Sequence, residues 1–498
     1  MLEQELKLSV EGAFTPSLPQ ERTDVSGIEE LPALDLRATY YDTPDLRLAR
    51  HGLTLRNRTG EGDESGWTLK LPVGEGIAAG RDELHADGGG SAAPFALTDL
   101  VTAFVRSSRL VPVARLRTRR RRWRLHGRDG AEVAELVDDR VSVLQRGRVA
   151  GRFREVEIEG RGIDRDALER IAAVVARDGA APTEQVPKLV RALGERATAP
   201  PDAAIPQQPG PGDPAGGAVR AAIARGVRRI LSNDPRTRLG EVEPLHQMRV
   251  GTRRLRSDLR TFRGLVEKSW AKSLRDELQW LGAALGEVRD LDVMLERLRH
   301  DGEDLAPGID ALFAALEARR EVAHERLLGA LRGSRYVELM DRLVDAAESP
   351  VLTPAAERPC AKALPPLARR SWKRVARSAR KLDESSPDEH YHELRKRAKQ
   401  ARYAAEAVGP ALGRRRGREA ARFAKRAAKV QDVLGALQDA VMAEETIERF
   451  VGKHPAQARI AFAAGRLHER QHVARRQARE SFPAAWRKLD RRKLRSWQ

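Results

Sequence analysis

The chain opens with Leu2-Glu3-Gln4-Glu5-Leu6-Lys7-Leu8. In an extended strand successive side chains point to opposite faces. Glu3, Glu5 and Lys7 therefore share one face, while Leu2, Leu6 and Leu8 share the other. Alone, such a segment reads as a surface strand with a charged outer face. The same pattern then recurs. Leu53-Thr54-Leu55-Arg56-Asn57-Arg58 sets Arg56 and Arg58 side by side, and Trp67-Thr68-Leu69-Lys70-Leu71 resumes the alternation. Arg81-Asp82-Glu83-Leu84 is a further short strand, and Val113 to Leu125 carries Arg115, Arg117, Arg119 and Arg121 at period two. Arg154 to Glu159 aligns Glu155, Glu157 and Glu159 opposite Val156 and Ile158.

One arrangement accommodates many strands that are charged on one face and apolar on the other. It is a closed antiparallel barrel, with charges inward around a wet tunnel and apolar residues outward under covering helices. Phe95 to Arg106 has the apolar spacing of a helix beginning at Thr98-Asp99, and a second helix runs from about Arg165 to Arg177, with Lys188 beyond it. Basic residues inside such a tunnel would grip an anionic chain. Carboxylates clustered at one side would hold hard divalent cations, Mg²⁺ or Mn²⁺, through oxygen donors. A divalent cation beside phosphate oxygens is a standard means of hydrolysing a phosphoanhydride. Glu155 and Glu83 also fit a plainer role as ion-pair partners.

Charge divides the chain. Residues 1–200 hold 31 Lys+Arg against 32 Asp+Glu, so the net +19 lies entirely beyond residue 200. That excess suits a polyanion: nucleic acid, an acidic membrane or polyphosphate. Cys360 is the single cysteine, which excludes an internal disulfide and a cysteine metal cluster and leaves it a filler role. Charge from the third residue is unlike an ordinary signal peptide, and no apolar run nears the ~20 residues of a membrane helix. The expected location is cytoplasmic, with no membrane partner.

At 498 residues, two to four domains are expected. Six prolines between Ala199 and Gly216 mark a semi-flexible tether. Beyond it strand signals vanish, and alanine, leucine, arginine and glutamate recur at helical spacing. His246-Gln-Met-Arg249-x-x-x-Arg253-x-x-Arg256 is echoed by His392-Glu-Leu-Arg395-x-x-x-Lys399-x-x-Arg402, and Leu285-Gly286-Glu287-x-x-Asp290 by Leu434-Gly435-Ala436-x-x-Asp439. Two copies of one helical bundle related by a pseudo-twofold is the simple architecture. His246, Arg249, Arg253, Arg256 and Arg260 form one helical stripe, and His392, Arg395, Lys399 and Arg402 repeat it. Met248, Leu255, Leu259 and Phe262 form a separate apolar stripe. Arg418, Arg422, Lys425 and Lys429 add another basic face. The histidines lack companion ligands at metal spacing. Asp290 and Asp439 read as braces for the basic helices.

Glu3-x-Glu5-x-Lys7, Tyr41-Asp42-Thr43, Leu55-Arg56-x-Arg58, Thr68-Leu69-Lys70, Arg81-x-Glu83 and Glu155-x-Glu157-x-Glu159 resemble, in order, the CYTH or triphosphate tunnel metalloenzyme family. That resemblance implies an eight-stranded tunnel that hydrolyses triphosphates with a divalent metal, or in one branch cyclises ATP. It implies a metal set of Glu3, Glu5, Asp138, Glu157 and Glu159, with Asp138 preferred over Asp139. It implies a phosphate grip of Arg56, Arg58, Lys70, Arg81, Arg117, Arg119 and Lys188, with the register of the Arg117 to Arg122 run left open. Glu3, Glu5 and Lys7 would be the catalytic group, Lys7 orienting the substrate or the attacking water.

The repeat beyond the tether resembles the CHAD domain, a histidine-containing helical domain often fused behind CYTH. It implies two four-helix bundles whose basic residues bind inorganic polyphosphate. The set comprises His246, Arg249, Arg253, Arg256, Arg260, His392, Arg395, Lys399 and Arg402, with Arg422 and Lys425.

The expected organisation is therefore α+β: a tunnel domain over 1–198, a linker over 199–214, and an all-α pair of bundles over 215–498, with repeats of about 215–350 and 351–498. The expected function is metal-dependent hydrolysis of inorganic triphosphate, with polyphosphate bound by the helical part. The alternatives are a polyphosphate-docking protein with little catalysis, or a triphosphatase or cyclase acting on thiamine triphosphate or ATP. A specific nucleic-acid role is disfavoured, because aromatics are 4% of the chain and the basic stripes hold almost none besides Tyr403.

Overall fold

A computed structural model describes residues 2–3, 5–10, 14–16, 25–60, 65–72, 81–87, 90, 92–176, 180–182, 186–383, 385–454 and 457–498. The chain forms two compact units, Met1–Asp202 and Ala203–Gln498.

The first unit is built on strands β1 (Leu2–Glu3), β2 (Glu5–Val10), β3 (Val25–Asp42), β4 (Thr54–Thr59), β5 (Gly66–Pro72), β6 (Arg81–Ala86), β7 (Val111–Gly127), β8 (Glu132–Gln145), β9 (Arg148–Gly160) and β10 (Ala180–Pro182). Its short helices are α1 (Arg47–Arg50), α2 (Phe95–Leu100), α3 (Thr102–Val105), α4 (Arg165–Val175), α5 (Lys188–Leu193) and α6 (Glu195–Thr198). The antiparallel order is β1-β6-β5-β4-β3-β7-β8-β9-β2-β10. β1 and β2 are successive pieces of the N-terminal segment, and they pair with β6 and β9 respectively. Both edges of an eight-strand curled sheet thus close on the first residues of the chain, leaving β10 as a short addition beside β2. The helix expected to begin at Thr98 starts earlier, at Phe95 after Pro94, and breaks into two short pieces.

Each face of the sheet has its own apolar packing. On the outer face Leu8, Val10, Trp123, Leu125, Leu136, Val156 and Ile158 pack against Leu168, Ile171 and Val175 of α4. Burying each such side chain contributes roughly 1.5–3 kcal/mol. α4 begins at Asp164, whose carboxylate accepts from the Ala167 amide at 2.7 Å. On the inner face Tyr40, Ala114, Leu116 and Val141 pack with Leu189 of α5 and Ala197 of α6. This apolar plug holds α5 at one end of the concave surface and so fixes where Lys188 stands. The Tyr41-Asp42-Thr43 motif is structural: buried Asp42 accepts from the amides of Thr43 at 2.6 Å, Leu48 at 2.8 Å and Ala49 at 2.9 Å.

Within the proline-rich stretch, Asp202 pairs with Arg106 and His51 of the first unit. In the second unit Gln208 accepts from Arg225 at 2.9 Å, and the carbonyls of Pro211 and Asp213 accept from Ala361 and Cys360. That unit is helical. Its first repeat contains α7 (Ala215–Arg238), α8 (Val242–Thr261), α9 (Lys268–Gly302), α10 (Asp310–Arg332) and α11 (Ser334–Glu348). Its second contains α12 (Cys360–Ala363), α13 (Pro365–Ala379), α14 (Asp388–Val408), α15 (Gly413–Val451) and α16 (Ala458–Leu489). Neighbouring helices pack in sequence, α11 returns to α7, and the repeats meet where α8 lies on α14 and α9 on α15. Met248, Leu255, Leu259 and Phe262 are all buried, and Cys360 is a buried filler. Among the described residues no helix is long and apolar enough to cross a membrane.

Gly60, at the end of β4, has φ +103°, and a Cβ there would lie 2.2 Å from the Asp35 carbonyl oxygen of β3. Both the positive φ and the close approach require glycine. Gly60→Ala is expected to destabilise the first unit by about 2 kcal/mol or more. Urea unfolding of the full chain followed by tryptophan fluorescence checks this; an unmoved transition would contradict it.

Candidate active site and basic helical stripes

Residues directly opposed in an antiparallel pair share a face, so the register sorts each side chain. Glu5 lies opposite Glu159, and Lys7 opposite Glu157. Across β9 and β8, Glu155 opposes Asp139 and Glu159 opposes Glu135. Asp139 in turn opposes Arg120 on β7. On the other side of the sheet Tyr40 opposes Arg56, Ala38 opposes Arg58, and Lys70 opposes Glu83. Glu5, Lys7, Glu157, Glu159, Arg56, Arg58 and Lys70 therefore share one inner face. Arg81 stands two residues before Glu83 on that same face, and the backbone of Glu3 is paired with it. The side chain of Glu3 lies outside the described residues.

Two expectations are corrected by this register. Asp138 opposes Val156 on the outer face and is held there by Arg154 at 2.7 and 2.8 Å. Its neighbour Asp139 is the aspartate that points inward. Arg117 and Arg119 likewise point outward and are exposed, Arg117 lying 3.5 Å from exposed Asp35. Arg120 takes the inner position instead. A slip of one residue exchanges the two faces of a strand, and Arg117 to Arg122, five arginines around Thr118, carries no apolar marker of its own parity. Pairing with β8 supplies it.

The acidic end of the inner face is a dense ion cluster. Lys7 is bonded to Glu157 and lies 3.4 Å from Glu5 and 3.8 Å from Glu155. Lys188 reaches Asp139 at 2.9 Å, Glu155 at 2.9 Å and Glu157 at 2.6 Å. Arg120 grips Asp139 with two bonds of 2.8 Å, and Arg191 holds Glu155 at 2.8 Å. Burial opposes ionisation of Lys7, Arg120, Asp139, Glu157 and Lys188. The Lys188, Lys7 and Arg120 charges nonetheless hold the Glu157 carboxyl well below its usual range. Burial lowers the Lys7 and Lys188 ammonium groups, but the surrounding carboxylates overcome it and hold both above their ordinary value. Lys188, expected as part of the phosphate grip, thus stands among the carboxylates. Arg120 and Arg191 were not singled out from sequence, and Asp139 was weighed there only as the alternative to Asp138; the signal was the parity of Arg120 and Asp139.

One carboxylate oxygen from each of Glu5, Glu157 and Glu159 lies within 4.8 Å of the others. A trio of hard oxygen donors at that spacing fits a divalent cation. Glu5 is the most open, with its side chain 23% exposed against 4% for Glu157. Across the face Lys70 is bonded to Glu83, while Arg56 is 8% exposed and its buried Nε has no hydrogen-bond partner. A buried guanidinium with an unused donor suits an oxyanion.

In the second unit, the two stripes lie on α8 and α14, which pack together. Arg249 is bonded to Asp290 of α9 at 2.7 Å, and a Cβ at Gly286 would stand 3.4 Å from its Nη2. In the second repeat a Cβ at Gly435 would stand 3.7 Å from Nη2 of Arg395. The repeated Leu-Gly motif thus leaves room for a stripe arginine in both halves. The buried Nε atoms of Arg249, Arg253 and Arg395 and Nδ1 of His392 have no hydrogen-bond partner. Burial, reinforced by Arg253, Arg395, Arg249 and Arg402, pushes the Lys399 ammonium down to about 7. Burial lowers His246 and Arg253 as well. Arg402 is instead satisfied by Glu406 at 2.9 Å. Arg256 and Arg260 continue the stripe toward Arg275, and Arg422 and Lys425 are exposed on α15.

A CYTH domain model matches residues 1–178 and a CHAD domain model matches residues 221–448. Uncharacterized protein Rv2226 of Mycobacterium tuberculosis (strain ATCC 25618 / H37Rv) is 34% identical over 522 residues, covering 98% of this chain and 96% of its own length. Among solved structures, PptA from Streptomyces chartreusis is 24% identical, with a TM-score of 0.47, covering 55% of this chain and 99% of that one. The CHAD domain from the plant Ricinus communis is also 24% identical, with a TM-score of 0.46, covering 56% of this chain and 94% of that one.

Lys399 gives the second unit a definite pH response. Its ordinary value is 10.5, so between about 7 and 10.5 the unfolded chain holds a proton that the folded one has released. Stability therefore rises with pH across that window, and the penalty is complete below it. Lys399→Met is expected to stabilise the anion-free chain at pH 7 by on the order of 1 kcal/mol or more, with the gain shrinking by pH 10. Denaturant titrations at the two pH values check this; a constant or negative difference would contradict it.

Proposed function

The chain belongs to the family that joins a CYTH domain to a CHAD domain, and on that premise we propose that it hydrolyses inorganic triphosphate on the inner face of the first unit and binds polyphosphate along the α8 and α14 stripes. CYTH domains are triphosphate tunnel metalloenzymes. One observation carries the hydrolytic reading: the Glu5, Glu157 and Glu159 trio shares a face with Arg56, Arg58, Lys70 and Arg81. A pure anion receptor gains nothing from carboxylates beside its basic groups. A cation-assisted hydrolase needs both.

Glu5, Glu157 and Glu159 would hold the cation, Mg²⁺ or Mn²⁺, which when bound would neutralise phosphate charge and favour attack by water. Arg56 and Arg58 offer planar donors that bind phosphate oxygens in pairs, and Lys70 and Arg81 extend that grip along the face. Glu157 stays ionised to low pH, so it serves as a permanent acceptor and not as a proton donor. Lys7 stays protonated well above neutral pH, so it orients and stabilises negative charge and takes no proton. Lys188, Arg120 and Arg191 keep the buried carboxylates charged and in place.

The test is phosphate release from inorganic triphosphate, ATP and thiamine triphosphate, with and without Mg²⁺ or Mn²⁺. Release is expected fastest from inorganic triphosphate, dependent on metal, and reduced about 100-fold or more in Glu5→Gln. Arg56→Ala is expected to raise KM about 10-fold, whereas Arg119→Ala leaves it unchanged. No turnover of any substrate would sink the hydrolytic reading and leave a docking protein.

Uncompensated cations on α8 and α14 support the polyphosphate reading. A polyanion there would restore the Lys399 proton, so binding takes up protons and weakens as pH rises from 7 to 9. Long-chain polyphosphate titrations at both pH values, repeated with Lys399→Met, test this. Equal affinities in the wild-type chain would contradict it, as would displacement by RNA at physiological salt.

A further inference from the structure

Two side chains of β6 beside the phosphate grip, Glu83 and His85, have no part in the proposed function. Thr68 opposes both Arg56 on β4 and His85 on β6, so Arg56, Thr68 and His85 stand in one row across three strands of the inner face. In the adjacent row Lys70 opposes Glu83. Same-face neighbours along a strand are about 7 Å apart, twice the rise per residue, so His85 and Glu83 are within reach of each other.

The side chains use that reach. Nε2 of His85 lies 3.6 Å from Oε2 of Glu83, and Nδ1 lies 3.4 Å from Oγ1 of Thr68. Lys70 is bonded to the other oxygen of Glu83, Oε1. Glu83 therefore stands between an ammonium group and an imidazole, one at each oxygen. Its side chain is 14% exposed and that of Lys70 15%, whereas that of His85 is 63% exposed. The histidine is the open member of the three.

A carboxylate in this place works against the grip. Among Arg56, Arg58, Lys70 and Arg81 it repels an incoming phosphate, and it occupies Lys70. Lys70 meets a phosphate oxygen only by giving up part of its hold on Glu83. A largely buried carboxylate left without a counter-charge is costly, most of all beside a second anion. His85 already stands at the second oxygen, and imidazole is the side chain that gains a proton from solvent most readily near neutral pH. Resting on the hydrolytic reading of this face, we propose that His85 is a positioning residue of the triphosphate site: as imidazolium it takes over Glu83 and so releases Lys70 to the phosphate chain.

The experiment is steady-state phosphate release from inorganic triphosphate by the full chain in saturating Mg²⁺ or Mn²⁺. Wild type, His85→Gln and His85→Lys are compared, each with and without Glu83→Gln. His85 is exposed, so a change there disturbs no core. His85→Gln is expected to raise KM about 10-fold with kcat little changed. His85→Lys, which carries a permanent charge, is expected to restore KM. With Glu83→Gln there is no carboxylate to neutralise, and His85→Gln is then expected to change KM little.

An unchanged KM in His85→Gln would overturn the proposal. So would an increase that His85→Lys fails to rescue, which marks a packing role, or one that persists in full beside Glu83→Gln, which places the ring against the substrate itself. Absence of turnover in wild type would sink the hydrolytic reading instead. His85 is then judged by calorimetric titration of tripolyphosphate in chelator, on the part of the heat that Arg56→Ala abolishes. The same ranking of variants there upholds the proposal, and equal affinities overturn it.

Discussion

The first unit depends on keeping buried carboxylates ionised. Asp139 and Glu157 are 0% and 3% exposed, and an isolated carboxylate so buried would take up a proton. Lys7, Lys188 and Arg120 prevent this by direct contact. Each cation comes from a different element: β2, α5 and β7. The cluster therefore ties the N-terminal segment, the central strands and a late helix into one electrostatic unit. It can form only if β1 and β2 close the sheet, if β7 adopts the parity that turns Arg120 inward, and if the Leu189 plug seats α5. Topology, register and packing converge on the same few atoms.

The second unit solves the opposite problem. Its stripes are cationic and carry few matching acids, and the neighbouring charges show as a lowered Lys399. Such self-repulsion opposes folding, and the helical frame tolerates it because the apolar stripe of Met248, Leu255, Leu259 and Phe262 is fully buried on a separate face. Gly286 and Gly435 let the α9 and α15 backbones lie against the Arg249 and Arg395 side chains with no side chain between them. One half is braced by Asp290, bonded to Arg249. In the other, burial raises the Asp439 carboxyl while Arg395 pulls it back, so the two repeats present unequal charge to a ligand.

Much of this was legible in the sequence, for reasons that differ by region. Period-two alternation around Glu5, Lys7, Arg56, Arg58, Lys70, Glu157 and Glu159 identifies the inner face directly, because apolar neighbours mark its reverse. The helical stripes were equally clear, since an apolar stripe runs beside the basic one. What alternation could not decide was any stretch without apolar contrast. Asp138 and Asp139 are adjacent acids, and Arg119 to Arg122 is an unbroken run of four arginines, so the inward member of each was set only by pairing with β8 and β9. Tyr41-Asp42-Thr43 carried only the family resemblance, and its Asp42 is a backbone cap for α1, a role that depends on where the chain returns.

The two units also differ in how a phosphate ligand would change them. At the acidic end of the inner face of the first, charges are already paired, so an incoming anion with its cation would replace one balanced arrangement by another and would leave Lys7 and Glu157 in their resting protonation states. That constancy suits chemistry, which requires fixed dipoles that need no reorganisation as charge develops. Along α8 and α14 few acids balance the cations, so an anion there would relieve repulsion and restore a proton to Lys399. That responsiveness suits binding that varies with salt and pH. The same ligand chemistry, phosphate oxygens in a row, would thus meet one surface that holds its electrostatics constant and another whose electrostatics the ligand would complete.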